Sequence, residues 1–143
     1  LSIIDTPINT QHDYLKDKTI NQDAFGVEYI HGTHVAGIAI QMNPKIHLYS
    51  IPAVNITVLI DLKDRTRDGI EMFYGDRGRE LSGIGKLSAA LKDFLNSDSK
   101  VVNISAGIGV ADERVIAFIT PLMKSLREKG RIITVAAGNN SSD

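Results

Sequence analysis

The 143 residues carry 16 Lys and Arg against 17 Asp and Glu, a net charge of −1, which offers no basic surface for nucleic acid. With 43% hydrophobic and 23% charged residues the chain has the composition of one ordinary globular domain, long enough to bury a core. It contains no apolar run near the roughly 20 residues of a membrane span, and the absence of cysteine excludes disulfides while leaving the redox compartment open.

In chain order, residues 2–5 read as a short apolar strand ending in Asp5. Next comes His31-Gly32-Thr33-His34-Val35-Ala36-Gly37, an imidazole at the mouth of a small-residue helix start. A histidine that titrates near neutrality is the usual general base. Gly32, Ala36 and Gly37 would let the helix backbone pack close, and Val35, Ile38 and Met42 are predicted inward. A strand follows at 46–51. Residues 55–80 mix charge and glycine without periodicity and read as a loop insertion that caps a groove, binds a partner, covers an edge strand or stays solvated. A helix over 82–96 places Leu87, Leu91, Phe94 and Leu95 on one face.

The next strand is expected at 101–105. A third helix begins after an Asp112 cap, carries Val115, Ile116, Ile119, Leu122, Met123 and Leu126, and ends at Gly130; Pro121 inside it predicts a kink or restart. A last strand spans 131–137. Strands apolar on both faces, alternating with helices, predict a parallel α/β sheet covered on both sides. Asp5, Ser105 and Gly138 then gather at the carboxyl ends of strands, where open α/β sheets keep their sites.

Taken singly, each residue has a plainer reading. Asp5 alone is a turn or cap residue, as are Asn103, Ser105 and the Gly138-Asn139 pair. His31 and His34 lack the intervening Glu of a zinc-protease helix, and His12 and His47 have no acidic or thiol cluster nearby, so they read as surface histidines. Ser105-Ala106-Gly107-Ile108-Gly109 resembles a dinucleotide loop until Asp112 occupies its third glycine position, and Gly83-x-Gly85-Lys86 lacks phosphate-loop spacing.

Their joint order carries more. Ile4-Asp5-Thr6, the His31 stretch, Val102-Asn103-Ile104-Ser105-Ala106-Gly107 and Ala136-Ala137-Gly138-Asn139 together resemble the N-terminal half of the catalytic domain of subtilisin-like serine proteases. The resemblance implies a three-layer subtilisin-like fold, incomplete at the C-terminus, over residues 1–143. It implies His31 as general base, Asp5 as the group orienting it and Asn139 as oxyanion donor. Ser105, Ala106 and Gly107 become the strand against which an extended polypeptide substrate pairs. No serine follows Gly-Thr in these residues, so the chain alone is expected not to form an acyl-enzyme. The alternative is a catalytically silent relative that binds peptides or regulates a partner.

Three departures stand beside the matches. Pro7 replaces the glycine usual after Asp-Thr, and Ile30 stands where a small or polar residue is common. In His12-Asp13-Tyr14-Leu15 the acid is displaced by one position from that of relatives with a structural calcium, so no cofactor is expected for the chemistry and that calcium is unsupported. The resemblance favours a secreted or cell-envelope protein with a propeptide or inhibitor as a further partner. Cleavage preference and oligomeric state have no signature.

Overall fold

The computed structural model describes residues 1–22, 31–53, 83–105 and 113–137. Five strands, β1 (Ser2–Asp5), β2 (Ile20–Gln22), β3 (Leu48–Pro52), β4 (Val101–Ile104) and β5 (Ile132–Val135), form one sheet in the order β2-β3-β1-β4-β5. Every pairing is parallel. Three helices accompany them: α1 (His31–Met42), α2 (Gly83–Asn96) and α3 (Glu113–Glu128).

Alternation along the strands sorts the core into two layers. On one face Ile4, Val102 and Ile104 meet Leu87, Ala90, Leu91 and Phe94 of α2 and Leu126 of α3. On the other, Ile3 and Leu48 meet Ala36 and Ile40 of α1, with Ile8 and Leu15 completing the cluster. Between β3 and β4 the chain passes from one side of β1 to the other, and the helices change face there. Winding therefore reverses at β1, whose carboxyl end carries Asp5.

Several expectations are corrected. β2 is a three-residue edge strand that no periodicity announces. Ile38 and Met42, predicted inward, are 62% and 82% exposed; α1 buries Gly32, Thr33, Ala36 and Ile40 instead. Small side chains win that face because the helix lies close to β1. Helix α3 continues through Pro121 without the restart that was one of the two expectations there, and Ile116, expected on its buried face, is exposed. Gly130 closes the segment after α3 at φ +67°, where a side chain would strain the backbone.

Arg131 fastens the far side of the sheet. Its guanidinium donates to the carbonyls of Ser99, Ser97 (2.6 Å) and Leu95 (3.4 Å) and lies 5.6 Å from the centre of the Phe94 ring. These contacts close the turn between α2 and β4 with the residue that opens β5. The expected insertion at residues 55–80 and the Asp112 cap lie outside the described residues.

Candidate active site

Strand β1 and helix α1 are brought together by one residue between them. Thr6 follows Asp5 directly, and its hydroxyl accepts the backbone N–H of Gly32 at 2.9 Å. A free N–H in the first turn of α1 is thereby satisfied by a side chain from the sheet. The approach is so close that a Cβ built on Gly32 would collide with the Thr6 carbonyl oxygen and lie 3.1 Å from the Thr6 hydroxyl. Glycine at position 32 is a steric requirement. Gly37, read in the sequence as a second close-packing glycine, has open space beside it.

That contact bears on the separation of the Asp5 and His31 side chains. The Asp5 carboxylate is 2% exposed, and its Oδ1 accepts the Thr6 backbone N–H at 2.6 Å. His31 Nδ1 lies 2.8 Å from Oδ1 and 2.9 Å from Oδ2. A nitrogen held between two carboxylate oxygens carries its proton toward them, which leaves Nε2 as the basic nitrogen of the neutral ring. The His31 side chain is 51% exposed while its Nδ1 is tied down at the carboxylate. A buried acid, an oriented imidazole and an accessible second nitrogen are the parts of a general base.

The loop leaving Asp5 is held at further points. Ile8 exchanges two hydrogen bonds with the Gln22 side-chain amide, and the Asn9 N–H donates to Thr33 Oγ1 at 2.9 Å. Pro7 does not displace Asp5 from His31. The residues that do this holding, Thr6, Gln22 and Thr33, were not among the sequence-predicted site residues. Only the hydroxyls of Thr6 and Thr33, flanking the two motifs, gave any signal.

On the same side of the sheet as Asp5, a second polar group ends β4. Asn103 Nδ2 donates to Ser105 Oγ at 2.6 Å, and Thr134 Oγ1 on β5 bonds both Asn103 Oδ1 (3.1 Å) and the Val102 carbonyl (3.2 Å). The Ala136 N–H donates to the Ile104 carbonyl at 3.0 Å, so β4 and β5 stay registered to their carboxyl ends. Ser105 stands one residue beyond the Ile4–Ile104 pairing, beside the end of β1. Ala106, Gly107 and Asn139 lie outside the described residues.

The remaining histidines do not join the site. His34 is exposed on α1, and His12 and His47 are exposed, as expected. Asp13, in the displaced calcium motif, is exposed and bonds Lys16 at 3.3 Å. No group of three or more His, Asp or Glu side chains suited to a metal ion occurs among the described residues, nor does a helix long and apolar enough to cross a membrane.

A family model described as the subtilase family matches residues 1–143. Among solved structures, the chain is similar to the self-cleaved protease domain of PatA, at 21% identity and a TM-score of 0.56 over 97% of this chain and 49% of that one. The likeness is one of fold, and it bears out the expected helix–sheet–helix architecture of subtilisin-like domains. The chain spans about half the length of that solved chain. No curated protein matches the sequence.

Proposed function

The chain belongs to the subtilase family, and on that premise we propose that the whole protein is a serine endopeptidase to which these residues contribute the base, its orienting acid and part of the substrate groove. The observation that carries the reading is the Asp5–His31 contact, bidentate at 2.8 and 2.9 Å with the acid buried and the ring half exposed.

In the proposed reaction, His31 Nε2 takes the proton of a serine hydroxyl as its oxygen attacks the peptide carbonyl. Asp5 stabilises the imidazolium that results, without itself becoming protonated. The tetrahedral oxyanion is met by the Asn139 side-chain amide, and collapse expels the amine after His31 returns the proton to it. Water then repeats the sequence on the acyl-enzyme. The strand ending at Ser105, with Ala106 and Gly107, pairs with the extended substrate, and Asn103 fixes the Ser105 hydroxyl. The serine itself comes from outside these 143 residues.

The test is hydrolysis of a peptide library by the whole protein, with fluorophosphonate labelling of its serine. His31→Ala and Asp5→Asn are each expected to lower kcat on the order of 10⁴-fold or more, the scale of such changes in subtilisin-type triads. Hydrolysis that survives His31→Ala would sink the proposal. Peptide binding without hydrolysis or labelling would favour the silent, peptide-binding relative instead.

A further inference from the structure

Gln22 has no part in the proposed chemistry, yet the structure ties it to the residues that do. It ends β2, and its register with Ser50, which in turn pairs with Ile3, puts it on the same sheet face as Ile3 and Asp5. Its Oε1 accepts the Ile8 N–H at 2.6 Å, and its Nε2 donates to the Ile8 carbonyl at 3.0 Å. One primary amide thus takes the place of a neighbouring strand for a residue that has left the sheet. Ile8 is 2% exposed, so its backbone groups need a partner within the protein. Pro7, just before it, has no N–H with which to continue a ladder.

Three side-chain links hold residues 6–9, and they differ in what they join. Thr6 to Gly32, and Asn9 to Thr33, fasten the loop to the first turn of α1. Thr6 follows Asp5 directly, so the first link ties Gly32 to the end of β1, whereas the second hangs from the far end of the loop and would let that end shift with the helix. The Gln22 link joins the loop to the sheet, the body in which Asp5 is embedded. It therefore bears on the distance between His31, carried by the helix, and the carboxylate, carried by β1.

We infer that Gln22 is a positioning residue for the Asp5–His31 pair, its amide locking the loop and with it the start of α1 where His31 Nδ1 meets both carboxylate oxygens. The inference rests on the proposal that this pair is catalytic. Gln22 touches neither substrate nor the reacting atoms.

The experiment compares Gln22→Met, which keeps the side-chain volume and removes both hydrogen bonds, with Gln22→Glu, which keeps the acceptor for the Ile8 N–H. Both are made in the whole protein beside His31→Ala. For Gln22→Met, kcat is expected to fall about tenfold or more at unchanged KM, because small displacements of a catalytic group are costly. Gln22→Glu, whose second carboxylate oxygen faces the Ile8 carbonyl with no proton to donate, is expected to leave the loss in place. Independently of turnover, the proton NMR signal of His31 Nδ1–H, downfield while it bonds a carboxylate, is expected to move upfield in Gln22→Met. A lower melting temperature with unchanged kcat and an unmoved signal overturns the inference and leaves Gln22 a structural residue. If His31→Ala retains hydrolysis, the catalytic reading fails and takes the inference with it. If His31→Ala abolishes hydrolysis while Gln22→Met matches wild type, only the inference fails.

Discussion

The junction of β1 with α1 and the edge formed by β4 and β5 end at the same side of the sheet, yet they are built in opposite ways. At the junction every residue from Ser2 to Ile8 is buried; the Asp5 carboxylate and the Thr6 hydroxyl are held by named partners, while the buried Ser2 hydroxyl has none. At the edge, Ile132 and Val135 are each 57% exposed, on opposite faces of β5, and Thr134 between them is exposed as well. The first region fixes a geometry by itself. The second joins the buried Val102 and Ile104 of β4 to a largely exposed β5, which Arg131 ties at one end and the Asn103–Thr134 bonds at the other. Among the described residues, the Asp5–His31 contact lies where packing is complete, and β5 has only one paired neighbour.

Substitutions can break that contrast. The largest effect is expected for Gly32→Ala, since its Cβ has no room against the Thr6 carbonyl and α1 must move off β1. A loss of about 4 kcal/mol or more in denaturant unfolding, with activity lost in the whole protein, is the expected result; a near-neutral change would show the junction to be looser than described.

A matched pair of apolar truncations then compares the regions directly. Ile3→Ala, at a fully buried position, is expected to cost about 2–5 kcal/mol, whereas Ile132→Thr, which keeps β-branching on an exposed edge, is expected to cost less than about 0.5 kcal/mol in the 143-residue chain. Equal costs would mean that the edge is as well packed as the centre.

A small effect is also expected at Thr134→Val. It removes the bonds to Val102 and Asn103 from an exposed site and improves β propensity, so the net loss in a urea titration is expected to stay below about 1 kcal/mol. A larger loss would show that the polar group, rather than the β4–β5 ladder, holds the edge in register.

The sequence announced four of the five strands as short apolar runs and all three helices as periodic faces, because burial on a two-sided sheet leaves those marks. β2 left none, being three residues long with its side chains only partly buried. The face of α1 was misread for a related reason. Hydrophobic size suggested Ile38 and Met42, but contact with β1 is governed by clearance, which selects Gly32, Thr33 and Ala36. Within the site, Asp5 and His31 were legible through their motifs, and the structure brings them together across 26 residues of sequence. Gln22 and Arg131 were invisible, since a side chain that bonds backbone carbonyls or amides elsewhere in the fold has no local pattern.

The placement of β1 between β3 and β4 also bears on how the molecule acquires its shape. β1 pairs with residues near position 50 on one side and near position 103 on the other, so its neighbours are the slowest kind for a chain to find. During synthesis the first strand emerges long before its second flank exists, and about a hundred residues must be made before β1 can be enclosed. The proximity of Asp5 to His31 therefore depends on residues about a hundred positions apart in sequence and not on the local segment alone.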